Sequence, residues 1–117
     1  MTVAITNRLR KICLSFPEAE EKEAWGDPTF RVKDKIYLIT GQDGGGATIR
    51  TSMDQQAELM DAFPDAFKSA PYVGRFGWVN AQLDLVDPEL LRGVILGAWR
   101  RTAPKAVVAE FDAAAAR

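Results

Sequence analysis

No histidine occurs among the 117 residues, and the one cysteine, Cys13, stands alone. Without an imidazole there is no Ser-His-Asp or Cys-His catalytic arrangement, no histidine general base and no His-containing zinc site. With one thiol the chain forms no internal disulfide, no Cys-x-x-Cys pair and no four-cysteine metal site. An excess of either charge is lacking too: 15 Lys and Arg stand against 16 Asp and Glu, a formal net charge of -1. Bulk attraction to a polyanion is therefore not built into the composition, although a local basic face is compatible with it. No run approaches the roughly 20 apolar residues of a membrane span. The apolar run Val3 to Ile5 is far too short for a signal peptide. The expectation is one cytoplasmic domain over residues 1–117, with no membrane contact, cofactor or metal. Its oligomeric state stays open, with the monomer as default.

What is present reads as alternating helix and strand. Ile5, Leu9, Ile12, Cys13 and Phe16 recur at helical spacing, so a first helix ends before Pro17, with Cys13 a buried small hydrophobe. Glu18, Glu20, Glu21 and Glu23 then read as a solvated connector. From Thr29 to Lys33 the period changes to two, and Ile36 to Thr40 is the hairpin partner across Lys33-Asp34-Lys35. Gly41 to Gly46 reads as a flexible hairpin turn, since a phosphate-binding P-loop needs Gly-Lys-Ser/Thr at a helix start. Ala47 to Thr51 completes a three-stranded meander. Ser52 or Thr51 caps a second helix carrying Met53, Ala57, Met60 and Phe63 inward before Pro64.

Ala66 to Ala70 is placed as an edge strand. After a turn rich in Gly and aromatic residues, Val79, Ala81, Leu83 and Leu85 share one face of the last strand, opposite Trp78, Asn80, Gln82 and Asp84. Asp87 and Pro88 open a final helix whose inward stripe is Leu91, Val94, Ile95, Ala98, Trp99 and Thr102. Trp25 caps the sheet or core edge, and residues 112–117 are a frayed tail. The fold class is α+β: an antiparallel sheet of about five strands with helices on one face, in the order α-β-β-β-α-β-β-α.

The uncovered face then carries Arg31, Lys33, Thr48, Arg50, Trp78, Asn80 and Gln82. Basic side chains interleaved with an aromatic hold phosphates and stack on bases, and the flanking hairpins suit wings that track a groove. Residues 66–83 hold Lys68 and Arg75 with no acid, and residues 92–105 hold Arg92, Arg100, Arg101 and Lys105 with no acid. The plainer reading is a polar sheet face turned to water. For enzyme chemistry there remain only Glu20 with Glu23, Asp84 with Asp87, or Tyr72 with Arg75, and nothing in the sequence makes any pair converge. The chain is expected to be no enzyme.

Two segments add a resemblance. Trp25-Gly26-Asp27-Pro28-Thr29-Phe30-Arg31 with Lys35-Ile36-Tyr37, and Ala70-Pro71-Tyr72-Val73-Gly74-Arg75 with Gly77-Trp78-Val79, resemble the MmcQ/YjbR family of small bacterial proteins, from Leu9 to Lys105. The resemblance implies a frataxin-like (CyaY-like) α+β domain, also compared with the double-wing DNA-binding domain of the phage factor MotA. Phe76 stands where relatives often carry histidine, Arg50 where lysine is usual, and the triple glycine at 44–46 is looser than a tight wing. The leading expectation is a DNA-binding protein that presents Arg31, Lys33, Arg50, Arg75, Trp78 and Asn80 to duplex. The alternative is a protein-interaction domain anchored on an exposed Trp78.

Overall fold

The structure is a computed structural model describing residues 2–24, 26–40 and 46–116, with side chains from Asn7 onward. Trp25, the loop residues 41–45 and the Ile5 side chain, each given a role above, lie outside the described residues. Six strands form one antiparallel sheet: β1 (Ala19–Ala24), β2 (Asp27–Val32), β3 (Lys35–Thr40), β4 (Gly46–Ile49), β5 (Phe67–Ser69) and β6 (Val79–Gln82). Their order across the sheet is β1-β2-β3-β4-β6-β5. The helices are α1 (Thr2–Leu14), α2 (Met53–Ala62), α3 (Pro88–Thr102) and α4 (Lys105–Ala115).

The chain thus adds one strand and one helix to the expected order. Glu18 to Glu23 is not a connector. Ala19–Ala24 pairs along its whole length with β2, and its charges find partners on both sides of the edge. Glu21 takes a bidentate ion pair from Arg10 of α1 at 2.6 and 3.2 Å, and Lys22 reaches Asp34 at 2.8 Å. The expected frayed tail is largely the end of α4, which runs to Ala115. Phe111 packs edge-on against Trp99 with ring centres 5.1 Å apart, and Asp112 takes two bonds from Arg100 at 2.6 and 2.9 Å.

Register explains the core. Phe30 faces Leu38 but Arg31 faces Ile36, so Tyr37 is an extra residue on β3. Such a bulge turns two neighbouring side chains to one side, and Tyr37 and Leu38 are both fully buried. Tyr37 donates to the Cys13 carbonyl at 2.9 Å. Burial pushes the Tyr37 phenol and the Cys13 thiol well above their usual values. Cys13 is buried as expected, and so is the entire α3 stripe of Leu91, Val94, Ile95, Ala98, Trp99 and Thr102. Asp87 caps α3 by accepting from the Glu89 amide.

Two inward stripes differ from expectation. In α2 the buried residues are Gln56 and Leu59, while Met53 and Phe63 are exposed. Leu85 is exposed as well, because the chain leaves β6 at Gln82 and tightens into a 3-10 turn over Leu83–Leu85.

Candidate functional site

The six residues expected to form one interface fall into three places. Arg31 and Lys33 belong to the β2–β3 hairpin, whose two-residue turn has positive φ at Lys33 (50°) and Asp34 (66°), as the twist of a tight hairpin demands. Both are already engaged. Arg31 donates to Thr29 at 3.1 Å and to Asp34 at 3.4 Å, and Lys33 pairs with Glu18 at 2.7 Å. Glu18 raises the Lys33 ammonium, and Lys22 with Arg31 lowers the Asp34 carboxyl.

Asn80 lies mid-sheet on the uncovered face, where Thr48 donates to its side-chain oxygen at 2.6 Å. A groove of about 500 Å³ opens here, lined in part by Asp27, Asp65, Lys68 and Gln82. Two carboxylates against one ammonium make it a poor trough for a polyphosphate.

The remaining three belong to the segments that adjoin the start of α2, at the same strand ends as the hairpin but across β3, where the Arg50 amide donates to the Tyr37 carbonyl. Arg50 directly follows β4. Its guanidinium does not stay on the uncovered face but donates to Thr102 at 3.2 Å, in the last turn of α3. Arg101 is the neighbour of Thr102, and burial and then the charge of Arg50 lower its guanidinium pKa. Arg101 folds back along its own helix over Gly97, where an added Cβ would stand 2.9 Å from its Nη1. A mid-helix glycine costs roughly 1 kcal/mol against alanine; here it makes the room in which Arg101 lies.

Arg75 and Trp78 enter from the other side of the same joint, in the turn over residues 70–78. Ser52 caps α2 by accepting from the Gln55 amide at 3.0 Å, and the preceding Thr51 hydroxyl donates to the Gly77 carbonyl. Gln56, buried in the next turn, gives both amide protons to this segment, one to the Gly74 carbonyl and one to the Trp78 carbonyl, each at 2.8 Å. Gly77 sits at φ 98°, and a Cβ there would lie 2.7 Å from Ser52 and Thr51 backbone atoms. Only glycine fits so close an approach at a left-handed position.

The turn so pinned displays what it does not bury. Tyr72 is 93% exposed at φ 66°, a conformation that costs a non-glycine residue roughly 1–2 kcal/mol. Phe76 is 63% exposed, with the Arg75 guanidinium 4.8 Å above its ring. Trp78, expected to be the exposed anchor, is only half-buried surface. The rings that this turn presents to solvent are Tyr72 and Phe76, which the sequence marks only as members of an aromatic turn.

Among the described residues Arg50, Arg75 and Arg101 have no carboxylate within ion-pair distance, unlike Arg10, Lys22, Arg31, Lys33 and Arg100. Asp54, in the first turn of α2, also sits at this end. No group of three or more Cys, Asp or Glu side chains that could hold a metal ion occurs among the described residues. No described helix is long and apolar enough to cross a membrane.

Comparison with known proteins follows the fold closely. Among curated proteins none matches the chain. The crystal structure of the Deinococcus radiodurans protein DR2400, of domain family DUF419, is similar to it, with a TM-score of 0.71 and 25% identity over 78% of this chain and 72% of that one. The family model YjbR matches residues 14–101, a stretch that holds the whole sheet, α2, the pinned turn and nearly all of α3, and the chain belongs to the YjbR family.

Proposed function

We propose that this chain is a non-enzymatic DNA-binding protein whose contact surface is the end built around the start of α2. The observation that carries the reading is the contrast in pairing: Arg50, Arg75 and Arg101 have no carboxylate partner there among the described residues, while Arg31 and Lys33 of the β2–β3 hairpin are already held by acids. A guanidinium with no carboxylate partner turns to phosphate at less cost than Lys33, which must first leave Glu18. Arg31 and Lys33 therefore contribute little, and the Arg75 turn replaces the hairpin wings as the contacting element.

The test is fluorescence anisotropy of labelled DNA at two salt concentrations with wild type, an Arg50, Arg75 and Arg101 triple alanine variant, and Lys33→Ala. Each phosphate contact contributes about 0.9 to the slope of log affinity against log salt. The triple variant should flatten that slope by roughly 2–3, and Lys33→Ala should leave it unchanged. No salt-dependent binding at micromolar protein, or a triple variant indistinguishable from wild type, overturns the reading.

The exposure of Tyr72 and Phe76 supports a second reading, a protein partner anchored on those rings rather than on Trp78. It predicts a partner that is lost with Tyr72→Ala and retained after nuclease treatment.

A further inference from the structure

The geometry points to unpaired bases, in single-stranded DNA, as what the 70–78 turn receives; this rests on the nucleic-acid reading above and names its ligand more narrowly. Duplex DNA turns phosphates and groove edges outward and keeps its base faces stacked inside. Three arginines would serve a duplex without any ring. Yet this turn holds two rings in solvent, Tyr72 at 93% and Phe76 at 63% exposure.

That display is fixed by the surrounding structure. Gln56 and Thr51 hold the carbonyls of Gly74, Gly77 and Trp78, and Gly77 lies against the backbone of Ser52 and Met53. Tyr72 keeps a left-handed backbone although it is not glycine. Strained, over-determined positions of this kind cluster where a ligand is met. One face of the Phe76 ring carries the Arg75 guanidinium, which leaves the other for a base. An exposed ring stacks on any base face regardless of sequence, and neighbouring cations follow the backbone of the strand. Arg75 sits within the turn, and Arg50, the residue before Thr51, and Arg101, beside Thr102, are the further cations offered to the strand's phosphates.

The experiment compares a fluorescein-labelled 20-nucleotide oligo(dT) with a mixed-sequence duplex of equal length, at one low salt concentration, using the full chain. The oligo(dT) should bind about tenfold tighter or more, in line with stacking on two rings. Phe76→Ala and Tyr72→Gly should each weaken oligo(dT) binding roughly 5- to 100-fold and leave duplex binding within about twofold. Tyr72→Gly relieves the positive φ, so its melting temperature should not fall, and lost binding cannot be charged to unfolding. Duplex binding as tight as or tighter than oligo(dT), or ring variants that weaken both equally, overturns the single-strand inference while the DNA reading stands. Ring variants that change neither assign the rings to another macromolecule and also overturn it. Absence of binding to both probes at micromolar protein removes the inference and the DNA reading together.

Discussion

The β2–β3 hairpin and the end around the start of α2 are equally cationic by sequence and opposite in chemistry. At the hairpin, Lys22, Arg31 and Lys33 close on Asp34 and Glu18. At the α2 end, Arg50 and Arg101 turn to a hydroxyl and a glycine, and Arg75 to a ring. A tally of cations along the chain treats the two alike. What separates them is local pairing: with β1 laid along β2, Glu18, just before it, reaches Lys33, and Asp34 of the turn takes Arg31 and Lys22, whereas no carboxylate reaches Arg50, Arg75 or Arg101 among the described residues.

The contrast between a pinned turn and a loosely charged hairpin can be broken by substitution. The largest effect is expected from Gly77→Ala, which adds a left-handed alanine, roughly 1–2 kcal/mol, to a collision with the Thr51–Met53 backbone, roughly 1–3 kcal/mol. Urea denaturation should show a loss of about 2–5 kcal/mol; a loss within experimental scatter would mean the turn is not held as described. Gln56→Leu comes next. The Gly74 and Trp78 carbonyls each lose one donor but keep another, from the Gly77 and Ala70 amides, so the expected cost is about 1–3 kcal/mol. Its loss should be larger than that of the exposed Lys33→Ala, for which no shift in the urea midpoint is expected.

The smallest effect belongs to pH. Asp34 is lowered chiefly by its bond from Lys22, and Asp112 by its bond from Arg100. A carboxyl whose folded value lies below its ordinary value of 3.8 contributes stability that is complete above 3.8 and fades as pH falls through the folded value. Stability measured below about pH 4 should therefore decline less steeply in Arg100→Ala than in wild type. Equal acid dependence would show that the Arg100–Asp112 pair contributes nothing to holding α4.

Helix α3 is fully legible in the sequence. Asp87-Pro88 marks its start, and six apolar or small residues at helical spacing mark its face, so local signal and tertiary packing agree. Strand β1 is not legible, because Ala-Glu-Glu-Lys-Glu-Ala has neither apolar alternation nor β propensity; it is a strand because β2 offers it a partner and Arg10 and Asp34 offer its charges one. The α2 stripe is read one step out of phase, since Gln56 is buried for its hydrogen bonds and not for its hydrophobicity. At the site, Arg50 and Arg75 are found from residue type alone, while Arg101 was noted only within a basic segment. Its nearness to Arg50 requires the end of β4 to meet the end of α3, which the Arg50–Thr102 bond does across 52 residues of chain. That Tyr72 and Phe76 point outward depends on a positive φ and on Gln56, neither of which a local pattern carries.

The acidic edge has a further consequence. A border strand leaves one row of amides and carbonyls ready to accept a strand from another molecule, the usual route to open-ended assembly. On β1 that row is flanked by Glu20 and Glu23, which pair with no described cation, and a second copy approaching in either direction meets the same acids. The opposite border, β5, is only three residues long and carries Lys68. The sheet is thus closed to self-extension by repulsion at one margin and by shortness at the other, and replacing the β1 glutamates with threonines should turn a protected margin into a seed for fibrils.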